Sequence, residues 1–509
     1  MIDRILTVGG FTLLSRVTGF VRDIILAAVL GAGPVADAFF VALRLPNHFR
    51  AIFAEGAFNA AFVPAYARIR EQGGAGRAAA FADRIFVLLL ASQIVLLALA
   101  LAFTPQVINI LAPGLASDPA RYALAVELTR VTFPYLLLVT LVTLYGGILN
   151  ALNRFAAAAA APILLNLSMI VALALAAFFP TAGHAAAWGV LAAGVLEALL
   201  VAGDAKRAGV LPALRWPQID ADVRQFFRAL GPATIGSGGV QLALFADTII
   251  ASFLPAGAIS ELYYADRLNQ LPIGVIGIAA GTVILPEMAR RIAAGDEAGA
   301  LAAQNRAVEF TLLLTIPCLV AFFVIPELIV RALFMRGAFT AADAAAAGAT
   351  LAAYTVGLLP FVLIRSVVAT FFARGDTATP VKAALIAAAV NIGFKIVLMG
   401  PLAQVGLALA TSIGAWVNFL LVMWFARRAG YAAADARLRQ SAVKLIAAGV
   451  LLALALWFGA PIVARMTGDW GSLRAEGALA VLMLAGALVY GGAVLIMFGR
   501  SWLRKFRGK

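Results

Sequence analysis

Charge is scarce in this sequence. Only 13% of its 509 residues are Asp, Glu, Lys or Arg, against about a quarter in an ordinary water-soluble chain. Histidine is nearly absent, with His48 and His184 alone, and so is cysteine, with Cys318 alone. A single cysteine forms no internal disulfide, and Cys318 lies in an apolar run, where it reads as a small membrane hydrophobe. The patterns HExxH, GxSxG and GxxxxGK[ST] and a paired Asp-Asp are missing. That excludes the usual metallohydrolase, serine hydrolase and ATPase chemistries. No connection between apolar runs exceeds about 25 residues, too short for a soluble catalytic domain.

What the chain does have is apolar surface. It is 63% hydrophobic, with a mean hydropathy of +0.98. A globule of this length cannot hide so much apolar area, so most of it must face lipid. A span takes about 20 apolar residues. Candidates lie near 5–31, 36–66, 84–112, 126–152, 159–180, 184–204, 226–254, 258–289, 308–335, 345–373, 379–401, 403–427, 441–464 and 476–499. The expected fold class is therefore an all-α membrane protein of about fourteen transmembrane helices.

The net charge of +14 is not a nucleic-acid signature, because no basic stripe with interleaved aromatics occurs. Lys and Arg cluster instead in short connections such as Arg68 to Arg84, Lys206 to Arg215, Arg427–Arg428 and the tail Arg500 to Lys509. Placing those segments in the cytoplasm satisfies the positive-inside rule and puts both termini inside. The N-terminus shows no small-residue cleavage site and reads as the first helix rather than a signal peptide.

An internal repeat is visible. Gly33, Asp37 and Phe39-Phe40 are echoed by Gly257, Glu261 and Tyr263-Tyr264, followed by Pro46 and Pro272 respectively. A weaker echo joins Arg154 and Pro162 to Arg374 and Pro380. A six-span repeat keeps its direction in the membrane, so the halves are expected to be parallel, related by a pseudo-two-fold along the membrane normal, with a substrate site between them. The expected domains are an N-terminal lobe at 1–217, a C-terminal lobe at 218–430 and an appended pair of spans with a basic tail at 431–509.

Ionisable residues deep in spans are the informative ones, since each costs about 2.5–3.5 kcal/mol even on lenient insertion scales. Span 1 carries Arg16, Arg22 and Asp23, span 2 carries Asp37, Arg44, Arg50 and Glu55, and span 8 carries Asp266 and Arg267. The spacing of seven puts Arg16 with Asp23, and Asp37 with Arg44, on common helical faces. Arg16, Arg22 and Arg50 sit roughly 15 Å or more from their span ends, too deep to snorkel easily. Two readings are open. Arg–Asp pairs hold the bundle together, or the surplus arginines bind an anion, for which the planar guanidinium fork suits phosphate oxygens. Asp247, Asn391 and Thr411 are candidates for an oxygen-lined cation site, with a hydrogen-bonded structural Asp as the other reading. Arg365 is a second-lobe cavity candidate, while Lys395 and Glu327 are expected to snorkel from span ends. His48 is either a substrate contact or loop-edge packing, and Gly277 with Gly281 reads as helix packing.

Leu14-Ser15-Arg16, Gly19-Phe20 and Arg22-Asp23, then Gly31, Gly33, Asp37 and Phe39-Phe40, then Leu45-Pro46-Asn47, Arg50, Phe53 and Glu55-Gly56-Ala57-Phe58 closely resemble the MurJ (MviN) lipid II flippase family. Tyr263-Tyr264-Ala265-Asp266-Arg267-Leu268, Leu285-Pro286 and Thr379-Pro380-Val381-Lys382 fit the same pattern. The resemblance covers essentially the whole chain. It implies the multidrug/oligosaccharidyl-lipid/polysaccharide exporter fold, with two six-helix lobes and two extra helices forming a groove for a lipid tail. It implies that Arg16, Arg22, Arg50 and Arg267 are cavity arginines and that Ser15, Asp37, Asn47 and Glu55 are further substrate-binding positions.

The resemblance also implies a partner: lipid II, the undecaprenyl-pyrophosphate-linked disaccharide pentapeptide of the bacterial inner membrane. Surrounding membrane lipids and the cell-wall synthesis machinery are further expected partners, and nucleic acid is not one. No cofactor is expected, with coupling to the membrane potential or to a monovalent cation as the energy source. The other readings are a flippase of the same superfamily for another polyprenyl-linked glycan, and a membrane enzyme acting on polyprenyl phosphates. The enzyme would need clustered carboxylates for Mg²⁺ or a nucleophile with its base, which the sequence does not offer.

Overall fold

The computed structural model describes residues 2–50, 57–216 and 218–499. The described residues are helical throughout, with short turns of 3₁₀ and π helix and no strand among them. Nine helical stretches among them are long and apolar enough to cross a membrane. The first two helices, which carry Arg16, Arg22, Asp23 and Asp37, are not among the nine: charge dilutes the hydropathy of the first, and the second is described over only 17 residues. The chain divides into two compact units, Met1–Ser260 with Arg336–Phe339, and Glu261–Met335 with Thr340–Lys509.

The first unit begins with α1 (Ile2–Leu30) and α2 (Pro34–Arg50). Between them Gly31 takes φ +66°, and a Cβ there would lie 2.6 Å from the Ala338 carbonyl oxygen. Only glycine fits such a backbone and such an approach. The Ala338 N–H donates to the Ala28 carbonyl at 2.7 Å, which fastens the 336–339 segment to this unit. α3 (Ala57–Ala102) is interrupted at Gly74 (φ 74°, ψ 178°), so it is two helices meeting at a turn. α4 (Thr104–Leu111), α5 (Pro119–Thr132) and α6 (Pro134–Ala151) follow. Pro134 interrupts what the sequence suggested as one span at 126–152, since its ring cannot continue the preceding hydrogen-bond ladder. α7 (Ala156–Ala174), α8 (Ala182–Arg207) and α9 (Ala221–Ser252) complete the unit.

α9 is fixed to α3 at one end by aromatic packing. Phe58, Phe62, Phe81 and Phe226 are buried together, with Phe62 and Phe81 stacked at 5.7 Å and Phe226 edge-on to both. Such ring pairs add about 0.5–1.5 kcal/mol each beyond the area they bury. Around them Arg77 pairs with Asp222 at 2.9 Å, Arg84 pairs with Asp220, and Asp83 accepts the Ala213 N–H at 2.7 Å.

The second unit contains α10 (Ala258–Pro272, whose first turn belongs to the first unit), a π turn at Ile273–Gly277 and α11 (Ile278–Ala293). α12 (Glu297–Val324), α13 (Pro326–Phe334), α14 (Ala341–Thr355) and α15 (Leu358–Phe372) come next. α16 (Ala378–Arg428), α17 (Ala436–Met466) and α18 (Arg474–Phe498) end it. At 1.5 Å per residue a continuous α16 would reach about 75 Å, far longer than a bilayer is thick. It breaks at Ala403 (φ 45°, ψ −127°), two residues past Pro401. Gly406 lets the second half close on the first, since a Cβ there would lie 2.3 Å from the Leu398 carbonyl oxygen.

The break between α14 and α15 shows how such a unit satisfies its backbone. The Ser412 hydroxyl donates to the freed carbonyl of Ala353 at 2.7 Å and the Trp416 indole N–H donates to Val356 at 2.8 Å. Polar backbone within a membrane-buried bundle requires such partners. α17 and α18 pack within this unit, where Ile316 of α12 lies against Gly449 and the Tyr490 hydroxyl donates to the Leu313 carbonyl at 2.9 Å.

Candidate functional site

α1 presents its charges in a definite order. The Arg22 guanidinium donates to Asp23 Oδ1 from Nη2 at 2.7 Å and from Nε at 3.1 Å. Its Nη1 donates to Asn166 Oδ1 on α7 at 3.0 Å. The Asn166 amide donates in turn to the Ser15 carbonyl at 2.9 Å and to the Thr18 hydroxyl at 3.1 Å. One buried asparagine thus ties Arg22 to the turn that carries Ser15 and Arg16. Gly19 makes room for it, with a hypothetical Cβ 3.4 Å from the Asn166 amide nitrogen. The seven-residue spacing suggested Arg16 as the partner of Asp23. The structure corrects this: Asp23 pairs with its neighbour Arg22, and Arg16 is exposed, with no ion pair among the described residues.

On α2, Asp37 is fully enclosed, at 0% exposure. Its Oδ2 accepts the Gly257 N–H at 2.7 Å and Arg121 Nη1 at 3.3 Å. Its Oδ1 accepts the Ser260 N–H at 2.9 Å and the Ser260 hydroxyl at 2.6 Å. Arg121, from α5, also donates to the Ser252 and Leu254 carbonyls. Asp37 therefore caps the first turn of α10 while Arg121 collects the carbonyls at the end of α9. Every lone-pair direction of the carboxylate is engaged by the protein.

Near the other end of α2, Arg50 Nε donates to Asn47 Oδ1 at 3.3 Å, so Asn47 orients the guanidinium. His48 meets α9: its Nε2 lies 3.2 Å from the Thr248 hydroxyl, and its ring lies tilted against Phe245 at 4.7 Å. Glu55 lies outside the described residues.

The second unit holds the other candidates. Arg267 on α10 is exposed and lies over the Tyr263 ring at 4.7 Å, a geometry that attracts a cation to the ring face. Arg365 on α15 passes over Gly277, where a Cβ would lie 3.2 Å from its Nε. Gly277 and Gly281 are thus the floor beneath an arginine. The nearby π turn at Ile273–Gly277 is a departure from α geometry of a kind that recurs at functional sites.

A family model described as Lipid II flippase MurJ matches residues 26–474. The chain belongs to the MurJ lipid II flippase family. It is 40% identical to a probable lipid II flippase MurJ of Rhizobium meliloti, over 98% of this chain and 96% of that one. It is 34% identical to a lipid II flippase MurJ of Burkholderia cenocepacia, over 99% and 97%. In fold it is similar to a solved lipid II flippase MurJ in an inward closed conformation, with a TM-score of 0.80 at 24% identity over 98% and 99% of the two chains. It is also similar to an inward-facing multidrug transporter of the MATE family, with a TM-score of 0.68 at 15% identity over 81% and 94%.

The first unit contains Ser15, Arg16, Arg22, Asp37, Asn47 and Arg50, and the second contains Arg267. The three residues suggested for a cation divide in the same way. Asp247 is in the first unit, while Asn391 and Thr411 are on α16 in the second, where Asn391 packs on Gly414. Asn391 Oδ1 is buried without a hydrogen-bond partner, and Thr411 donates to the Leu407 carbonyl at 3.0 Å. Among the described residues no cluster of His, Cys, Asp and Glu could hold a metal ion. Lys395 departs from expectation: it is 3% exposed, so its amine does not snorkel out to solvent.

Three buried polar residues that sequence reasoning passed over belong to this arrangement. Asn166 and Arg121 are described above, and the third is Glu197 on α8, buried with the Tyr135 hydroxyl at 3.5 Å. Asn166 and Glu197 are isolated polar letters inside apolar runs, the same signal that marked Arg16 and Arg22. Arg121 lay in a stretch that read as a connection.

Proposed function

We propose that this chain carries lipid II from the cytoplasmic to the periplasmic leaflet by alternating access. The observation that carries the reading is the state of the arginines on α1. Arg22 is neutralised by Asp23 and oriented by Asn166, while Arg16 beside it is exposed and unneutralised. A guanidinium in a membrane helix without a carboxylate is costly unless an anionic ligand or water reaches it. Lipid II supplies such an anion, a pyrophosphate between a polyprenyl tail and a sugar-peptide head. Arg16, Arg22, Arg50 and Arg267 bind the pyrophosphate and head through bidentate forks. Ser15, Asn47 and Glu55 line the same cationic cavity, and Asp37 holds the protein around it.

In this reading the chain has fourteen spans. It counts α2 with the first half of the broken α3 as one span and the second half of α3 with α4 as the next, the broken α16 as two, and α5–α6, α10–α11, α12–α13 and α14–α15 as one interrupted span each. Spans 1–6 and 7–12 form parallel lobes, and α17 and α18 guide the lipid tail along their outer faces. The matching roles of Arg154, paired with Asp204, and Arg374, paired with Glu297, support the repeat. Each follows a helix and meets a carboxylate of its own unit. Both termini lie in the cytoplasm, and the membrane potential favours resetting of an empty, net-positive site, at about 2.3 kcal/mol per unit charge per 100 mV. A monovalent cation at Asn391 and Thr411 with Asp247 is a second coupling route, supported by the unpartnered Asn391 oxygen.

The deciding experiment is depletion of the protein in living cells, followed by measurement of which leaflet holds lipid II. Accumulation in the cytoplasmic leaflet, reversed by the wild-type chain, is the expected result. Unchanged leaflet distribution refutes the reading. Chemical conversion of labelled polyprenyl-pyrophosphate by the purified protein would favour an enzyme instead.

A further inference from the structure

The first unit contains a cavity of about 600 Å³ that the transport reading does not use. Its walls are Phe11 of α1, Phe155 before α7, and Leu199 and Leu200 of α8, and its polar end carries Asn153, Arg154, Asp204 and Arg207. From Leu199 to Arg207 the helix rises about 12 Å, the depth of a phosphate group and the first part of an acyl chain. Leu199 is exposed on the outside of the unit, so the cavity opens where lipid lies. Arg154 is neutralised by Asp204, whose carboxylate holds the guanidinium above its ordinary pKa. Arg207 is exposed and has no ion pair among the described residues. The polar end therefore has one net positive charge. The first turn of α7 lines the same end and has no side-chain cap, so its free amides add to the attraction for an anion.

We infer that this cavity binds one anionic glycerophospholipid, its phosphate at Arg207 and the start of α7 and its acyl chains along Phe11, Leu199 and Leu200. The charge selects the occupant. One net positive charge balances the single charge of a phosphodiester, whereas a polyprenyl pyrophosphate has two. The site is separate from the arginines assigned to lipid II. It depends on the positive-inside orientation only for its leaflet, which that orientation makes the cytoplasmic one.

The test is native mass spectrometry of the purified full-length protein titrated with phosphatidylglycerol, with phosphatidylcholine as the zwitterionic control. Wild type should retain one phosphatidylglycerol at concentrations where phosphatidylcholine is lost. Arg207→Gln should weaken that retention by about tenfold, the loss of roughly one charge-assisted contact of about 1.4 kcal/mol. Gly203→Phe should abolish it by filling the cavity, since a Cβ at Gly203 meets nothing within 4 Å. Arg16→Ala, whose side chain is exposed and holds nothing in the fold, should leave it unchanged, which separates this site from the transport reading. Equal retention of both lipids, or wild-type retention in Arg207→Gln, overturns the proposal even if Gly203→Phe fails to fold. Displacement of phosphatidylglycerol by equimolar lipid II also overturns it and assigns the cavity to substrate.

Discussion

Asn166 accepts a hydrogen bond from Arg22 Nη1 at 3.0 Å, and this contact, between helices far apart in sequence, sets the direction in which the arginine points. Asp23 takes the other edge of the same guanidinium. Asn166→Ala removes a hydrogen bond to a charged group, an interaction of about 1.5–3 kcal/mol. The variant should accumulate in membranes yet bind lipid II at least about tenfold more weakly. Asn166→Asp, which adds a second carboxylate beside Arg22, should be at least as inactive. Wild-type binding by Asn166→Ala would show that Arg22 orients itself.

Asp37 and Arg121 form a different kind of pair, one that holds helix ends together. Arg121 is 4% exposed, so Asp37→Ala leaves a buried cation without its carboxylate, at a cost of about 3–5 kcal/mol. Abundance and thermal stability should fall sharply. The double variant Asp37→Ala with Arg121→Ala should recover part of that loss, because it removes the stranded charge. Equal instability of single and double variants would place the whole cost in the caps on Gly257 and Ser260.

The contrast between these two sites shows what was legible in the sequence. Charged letters in apolar runs announced Arg16, Arg22 and Asp37, because the cost of burying charge is a property of composition. Pairing was not legible. Helical spacing matched Arg16 with Asp23, but a side chain reaches its immediate neighbour when a third group from another helix, here Asn166, completes the geometry. Span edges were read from glycine and proline, which worked at Gly31 and near Pro401. They did not announce the breaks at Pro134 and at Val356, which fall inside single spans; at the second, Ser412 and Trp416 supply the backbone with donors from elsewhere in the fold. Lys395 looked like a span-end residue and is buried, because depth depends on how α16 breaks at Ala403.

The break at Gly357 carries a stability prediction of its own. A Cβ there would lie 2.6 Å from Ser412 Cα, so Gly357→Ala overpacks the joint by about 1–3 kcal/mol. Ser412→Ala leaves the Ala353 and Tyr354 carbonyls short of a donor, a loss of about 1–3 kcal/mol. Both purified variants should melt below wild type. An unchanged melting temperature in Gly357→Ala would mean that α14 and α15 move apart freely.

Orientation is tested by accessibility. In a Cys318→Ser background, cysteines at Ala182 and Gly400 should react with an impermeant thiol reagent from outside the cell. Cysteines at Ala75 and Ala294 should not, and these exposed neighbours of Gly74 and Gly295 avoid the positive φ of both glycines. Labelling at Ala75 in intact cells would invert the topology drawn from the Lys and Arg distribution.

The arginines separate a binding site from a scaffold. If Arg16 is a ligand for pyrophosphate, Arg16→Ala should insert and accumulate normally, because its side chain is exposed and Asp23 keeps Arg22 as its partner. Complementation should nevertheless be lost, and lipid II binding should fall by about tenfold to a hundredfold, a hydrogen-bonded charge pair being worth about 1.5–3 kcal/mol. Arg16→Lys should recover part of the binding, since it keeps the charge and loses the bidentate fork. The same pattern is expected at Arg50 and Arg267. Arg22→Ala should differ, losing abundance as well as function, because it strands the buried Asp23 without its cation. The measurement is complementation of a depleted strain beside membrane abundance and lipid II binding. Should Asp23→Ala restore activity to Arg16→Ala, Arg16 acts by neutralising the bundle and its role as a ligand is refuted. Stable but inactive single and double variants would place it on the substrate.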